Sequence, residues 1–178
     1  EVQELTTVAT VGQLNIQDPR SLCWSLTGDT LFVSNYSEGD SPIVVTMLLR
    51  SEEFKKAHSL FSGYKWVISA TIHPQTGDIY FAQESDATIK RYNMATKEVE
   101  TMFSVGGNWI WMYVYFHPSG DFAYLMRPRE GTIFKCQFNK TTNWLELPSI
   151  YVGNWNKGYN EGVGTNVRMG VMWQGTFV

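Results

Sequence analysis

A short pattern occurs twice along this chain and a third time in weaker form. The segment IHPQTGDIYF around Gly77 returns as FHPSGDFAYL around Gly120, 43 residues later. The weaker copy, WSLTGDTLFV, places Gly28 49 residues before Gly77. An apolar strand, a Gly-Asp turn and a second apolar strand predict a β-hairpin in which glycine adopts a positive φ.

Repeats of this length with four short strands each are typical of β-propeller blades. We therefore predict an all-β chain in which residues 1–178 form one partial propeller of about three complete four-stranded blades and part of a fourth. The predicted blades are 13–62, 63–105 and 106–152, with the next one starting in 153–178. The predicted strands of the second and third blades are Val67–Ile72, Ile79–Gln83, Thr88–Asn93, Val99–Ser104, Ile110–Phe116, Phe122–Met126, Thr132–Phe138 and Trp144–Tyr151.

Composition narrows the classes of partner. The hydrophobic fraction of 43% with 17% charged residues indicates a folded chain, and a net charge of -3 with scattered charges argues against nucleic acid or an anionic membrane as partners. The two cysteines, Cys23 and Cys136, fit no zinc spacing and are predicted to be buried strand thiols. No secretory signal opens the chain.

Local patterns predict the surroundings of several other residues. Thr88–Tyr92 alternates as an outer strand with one wet face, whereas the apolar run 111–116 is expected near the propeller axis. A short helix could occupy Ser51–Ser59, and His58 is expected to be solvated. Structural roles in the hairpin turns are expected for His73, His117, Asp29, Asp78 and Asp121.

The turn residues also resemble a known family. The Gly-Asp hairpins are similar to those of NHL-repeat propellers, and so is the tail GNWNKGYNEGVGTN, which begins at Gly153. The chain most resembles NHL-repeat proteins of Bacteroidetes in which the propeller is often preceded by an immunoglobulin-like IPT/TIG domain. Glu161 stands where the family usually has Asp, and the family's Arg-Ile pair is present only loosely at 89–91. The resemblance implies a six-bladed ring and a location outside the cell or on its outer surface.

A six-bladed ring would be incomplete here. Val8–Gly12 is predicted to be an outermost strand, and Val171–Val178 could supply one inner strand of a fourth blade. A half ring leaves open sheet edges and apolar faces. We therefore expect either further blades from the same parent chain or self-association.

The candidate site lies where loops between second and third strands meet the links between blades. Aromatic residues are dense in these segments and are accompanied by polar side chains, a combination that suits stacking on a sugar ring and hydrogen bonding to its hydroxyls. Packing between blades is the alternative role for each tryptophan. The predicted ligand-binding residues are Trp66, Trp109, Trp111, Arg127, Glu84, Asn35 and Tyr36.

The sequence favours a non-enzymatic module that binds a glycan or a protein, without catalytic residues, metal or cofactor. The first alternative is a calcium-dependent lactonase-like hydrolase, in which Glu84, Asn35 and Asn108 would supply oxygen ligands. The second is a purely structural propeller that docks other domains. Fold alone does not decide among them.

Overall fold

In the computed structural model, the described residues are 16, 18–36, 43–107, 110–154 and 158–169, and they form three antiparallel sheets with no α-helix. Sheet 1 contains β1 Pro19–Trp24, β2 Thr30–Asn35, β3 Ile43–Leu49 and β4 Ala57–Ser62. Sheet 2 contains β5 Val67–Ile72, β6 Ile79–Gln83, β7 Thr88–Tyr92 and β8 Val99–Ser104. Sheet 3 contains β9 Tyr113–Phe116, β10 Phe122–Arg127, β11 Thr132–Asn139, β12 Trp144–Leu145 and β13 Ser149–Val152.

The sheets pack face to face in a β-propeller-like arrangement. Their first strands lie side by side, β1 against β5 and β5 against β9. One buried cluster, including Phe32 and Phe81, fills the space between sheets 1 and 2. A larger cluster, including Tyr80 and Leu125, fills the space between sheets 2 and 3. The all-β prediction is confirmed, whereas the blade boundaries stay a prediction, and Val8–Gly12 and Val171–Val178 lie outside the described residues.

Strands of sheet 2 lie within one residue of their predicted bounds, and sheet 3 departs by more than one residue in two places. Strand β9 begins at Tyr113 rather than Ile110, because the Ile110 amide donates instead to the Glu84 carbonyl at 3.3 Å. The predicted strand Trp144–Tyr151 is divided into β12 and β13, which both pair with β11. Pro148, which has no amide proton for a ladder bond, lies in the break.

The predicted helix over Ser51–Ser59 is wrong. A single 3-10 turn covers Arg50–Glu52 and ends at Glu53 and Phe54, which both have positive φ, and strand β4 begins at Ala57. His58 therefore lies on a strand. It is half-buried, with Nε2 2.6 Å from a Glu52 carboxylate oxygen, and is not the solvated side chain that the sequence predicted.

Strand β7 is buried on both faces, which contradicts the expected wet face. The Lys90 ammonium donates to an Asp86 carboxylate oxygen at 3.4 Å and to the Thr101 hydroxyl at 3.1 Å. Arg91 faces sheet 3, where it donates to the Asn143 carbonyl. Thr101 of strand β8 and Asn143 of sheet 3 lie outside β7, so the alternation within β7 could not reveal them.

The Gly-Asp dipeptides are not equivalent between hairpins. The closing backbone bonds run from Ser25 N to Thr30 O, His73 N to Asp78 O and His117 N to Phe122 O. Each hairpin thus has the same length, but the dipeptide sits one position later in the second. Alignment on glycine was therefore off by one residue.

That shift changes the environment of the aspartate. Asp78 is buried, accepts the Met94 amide at 3.0 Å, and has Oδ2 3.6 Å from Arg91 Nε. Asp29 instead stays exposed and accepts from the Ser25 and Thr30 hydroxyls. One insertion before the glycine thus converts an exposed turn carboxylate into a buried partner of Arg91 within sheet 2.

His73 joins sheets 2 and 3. Its ring is fully buried, Nδ1 accepts the amides of Gln75 and Thr76, and Nε2 lies 3.0 Å from the Gly120 carbonyl, to which it donates. Burial lowers the pKa of His73 below its usual value, with the Gly120 carbonyl opposing that shift. The role is structural, as predicted.

This environment makes stability depend on pH. Because the pKa of His73 is lower in the folded chain than the value near 6.5 in the unfolded chain, the unfolding free energy is expected to fall as the pH drops below about 6.5, by up to ~1.4 kcal/mol per pH unit. The measurement is urea unfolding at pH 7.0, 6.0 and 5.5. The His73→Gln variant should show a flatter dependence over that range, and equal slopes in both proteins would contradict the assignment.

Candidate functional site

The ends of strands β2 and β6 bring three predicted site residues together. Tyr36 follows β2, and its hydroxyl donates to a Glu84 carboxylate oxygen at 2.7 Å. The Glu84 amide donates to the Trp66 carbonyl at 3.0 Å, and its carbonyl accepts from Ile110. Glu84 thus connects sheet 1 with the links that enter sheets 2 and 3, and its buried side chain is held in place rather than exposed to solvent.

Asn35 lies directly before Tyr36 and is buried. Its Nδ2 donates to the Thr46 hydroxyl at 2.9 Å. Within the described part of the chain no donor reaches its Oδ1. A buried amide oxygen without a donor costs free energy, so this atom is a candidate acceptor for a bound group.

A second group of residues follows strand β10. Arg127 is buried at the end of the strand, with Nη2 3.5 Å from a Glu130 carboxylate oxygen. Burial lowers the pKa of Arg127, and Glu130 opposes the shift. The 3-10 turn Pro128–Glu130 then carries Arg129, whose guanidinium carbon lies 4.3 Å above the Trp111 ring. A cation over an indole face is a stable arrangement at a surface.

Together the two groups form the rim, which consists of Asn35, Tyr36, Trp66, Glu84, Trp111, Arg127 and Arg129. Arg129 is the member that the predicted residue set omitted, and its position in the same turn as Arg127 was the available signal. Trp109 and Asn108 lie outside the described residues.

A cavity of about 560 Å³ runs along the first strands of the three sheets. It starts at the rim, because Pro19 pairs with Asn35 and Tyr113 pairs with Met126, the neighbour of Arg127. The lining residues are Pro19, Arg20, Ser21, Leu22, Ser69, Ala70, Thr71, Tyr113, Val114 and Tyr115. Sequence reasoning missed this set, although the position of each first strand next to the axis was predictable from the repeat.

The described residues form neither a cluster of metal ligands nor a reactive thiol. No group of three His, Cys, Asp or Glu side chains in the described ranges is placed to hold a metal ion. Burial raises the pKa of Cys23 and of Cys136 to about 12, so both thiols stay protonated and are poor nucleophiles. Cys136 is fully buried and Cys23 partly so, close to the prediction of buried strand thiols.

Solved structures with the same fold come from Bacteroides. An auxiliary nutrient binding protein from Bacteroides thetaiotaomicron matches with a TM-score of 0.82 and 27% identity over 86% of this chain and 36% of its own. One of the same description from Bacteroides ovatus matches with a TM-score of 0.81 and 25% identity over 86% and 36%. A third, from Bacteroides thetaiotaomicron and provisionally named a phosphatase, has a TM-score of 0.80 and covers 86% and 40%, but at 18% identity it shows the fold alone.

The chain thus spans little more than a third of the length of the first two structures. No family model matches the sequence. No curated protein matches it either. None of the helices in the described ranges has the length and apolar character needed to cross a membrane.

Proposed function

We propose that this chain is part of a non-enzymatic binding protein that takes up a carbohydrate nutrient at the rim. The observation that carries the proposal is that side chains from separate sheets meet at one end of the arc of three sheets, where the Tyr36 hydroxyl donates a hydrogen bond to Glu84. Fixed aromatic and polar groups of this kind suit a ligand with both a flat apolar face and hydroxyls.

Two features support this choice. Arg129 covers one face of the Trp111 indole, and in this proposal the other face stacks on the sugar ring. The Bacteroides structures of 25–27% identity carry nutrient-binding names. A location outside the cell or on its outer surface belongs to the same proposal, as does membership of the NHL type of propeller.

We also propose that further sheets of the parent chain continue the arc beyond sheet 3. Tyr124 and Lys135 form a cross-strand pair at the position that Tyr80 and Arg91 occupy in sheet 2. Arg91 donates to a carbonyl of the next sheet, Asn143, whereas Lys135 has its ammonium 4.1 Å from the centre of the Phe122 ring in its own sheet. The same surface also carries Tyr151, which is half exposed, and suits a fourth sheet.

A glycan screen followed by calorimetry tests the binding function. The wild-type chain is expected to bind at least one neutral or acidic oligosaccharide, and Trp111→Ala is expected to weaken that binding by about tenfold or more, because it removes the stacking platform. Trp144→Ala is the matched control, since Trp144 is also a partly exposed tryptophan but lies on β12, away from the rim.

Three results would count against the proposal. They are the absence of binding across the screen, an equal loss in both tryptophan variants, and a stoichiometric calcium site with sub-millimolar affinity. The last would instead favour the lactonase-like alternative, with Glu84 and Asn35 as oxygen ligands.

A further inference from the structure

The three first strands are joined by a serine that recurs at one repeat position. Ser21 Oγ accepts the Ala70 amide at 2.8 Å and thereby ties β1 to β5. Ser69 Oγ accepts the Val114 amide at 3.2 Å and donates to the Met112 carbonyl at 3.2 Å, which ties β5 to the segment leading into β9. These hydroxyls satisfy backbone groups that no ladder pairs.

The third sheet departs from this rule at the cavity wall. Tyr113 occupies the position of Ser21 and Ser69, as the strand register shows. Tyr115 follows on the same face of β9, with the two rings 6.4 Å apart and inclined by 19°. A small linking hydroxyl is thus replaced by the first of two nearly parallel aromatic rings that line the cavity.

The charge of the cavity wall is one-sided. Arg20 is the only Asp, Glu, Lys or Arg among the lining residues. Asp18, a half-exposed side chain, accepts one hydrogen bond from it at 2.6 Å, and the guanidinium carbon lies 4.6 Å above the Tyr36 ring. In the described part of the chain, Asp18 is the sole acceptor for this guanidinium, which leaves hydrogen-bonding capacity for a second planar acceptor.

We propose that the cavity binds a pyranose that bears a carboxylate, with the carboxylate on Arg20 and the sugar ring against Tyr113 and Tyr115. This rests on the proposed function and narrows its ligand class. A guanidinium recognises a carboxylate through paired hydrogen bonds, and tyrosine rings cover the apolar face of a sugar. The charge of Arg20 also reaches Tyr113, since it opposes the rise in the pKa of that phenol caused by burial.

Calorimetry with matched sugars tests the inference. The probes are oligogalacturonate and the corresponding neutral galactose oligomers. The wild-type chain is expected to bind the uronate at least about tenfold more tightly, and added salt should weaken uronate binding alone. Arg20→Gln should remove the preference, so that the affinity for the uronate falls to about that for the neutral oligomer.

Two further variants separate charge from stacking. Arg50→Gln is the matched control, because Arg50 also lies over an aromatic ring, that of Trp24, but does not line the cavity, and it should retain the preference. Tyr113→Ser restores the repeat residue and should weaken binding of both sugars, with Tyr113→Phe retaining most of it. Thermal melts establish that each variant is folded.

The outcomes are distinguishable. Equal affinity for uronate and neutral oligomers, or an undiminished preference in Arg20→Gln, overturns the acidic ligand class and leaves the binding function intact. Failure to bind any sugar overturns both proposals.

Discussion

Asp78→Ala is expected to lower the unfolding free energy by about 3 kcal/mol, because it leaves Arg91 buried between two sheets without one of its carboxylate partners. The Met94 amide also loses its acceptor. For a chain of this length the loss corresponds to a fall in Tm of roughly 6–12 °C, measurable by calorimetry. Asp78→Asn should lie between wild type and Asp78→Ala, since the amide can still accept from Met94.

The control uses the first hairpin. Asp29 occupies an exposed turn, where it accepts from hydroxyls that water can also satisfy. Asp29→Ala is therefore expected to change Tm by no more than roughly 2 °C. If the two alanine variants had the same effect, Asp78 would not be the buried partner of Arg91 that its contacts indicate.

The strands were predictable because they follow local rules. Each strand of sheet 2 is bounded by turn residues, such as His73–Asp78, so its limits could be derived without tertiary information. The position of Asp78 was not predictable in the same way. Gly77 and Gly120 both have positive φ in matching sequence contexts, and only the backbone bonds reveal the one-residue offset.

The wrong predictions elsewhere arise from partners that lie outside the segment in question. Lys90 and Arg91 alternate with apolar residues as on a wet strand, but a neighbouring strand and sheet 3 supply the groups that allow their burial. Ser51–Ser59 has helix-favouring ends, yet pairing of β4 with β3 outweighs a local preference of this size.

The candidate site was predictable to the extent that the repeat is. Equivalent positions in a repeat lie at equivalent places in space, which is why Tyr36 and Glu84, 48 residues apart, could be assigned to one end of the arc and are in fact hydrogen bonded. The cavity residues were missed because Arg20 and Tyr113 lie on strands, whereas the site was predicted to lie in loops and links between blades. A departure from the repeat at one position, such as Tyr113 where the other two sheets have serine, indicates a candidate binding residue on a strand.

Gly153→Ala is expected to have the other large effect, because Gly63 and Gly153, which each follow the last strand of a sheet, differ in the space around them. Gly63 follows β4 with φ +95°, and a Cβ there would meet nothing within 4 Å. Gly153 follows β13 with φ +90°, and a Cβ there would overlap the Gly131 carbonyl oxygen and lie 3.0 Å from the Thr132 Cα. Both obstacles are backbone atoms, which cannot rotate away.

Gly63→Ala should therefore lower the unfolding free energy by only about 1–2 kcal/mol, which is the cost of an alanine with left-handed backbone angles. Gly153→Ala should lower it by about 3–5 kcal/mol, because overpacking adds to the same conformational cost. Urea unfolding measures both losses. The overlap at Gly153 also bears on function, since Gly131 ends the turn that carries Arg129 over Trp111. Gly153→Ala should accordingly weaken glycan binding in the folded protein, whereas Gly63→Ala should not. Equal stability losses in the two variants would mean that the link after sheet 3 does not press on this turn, and that the rim is positioned by sheet 3 alone.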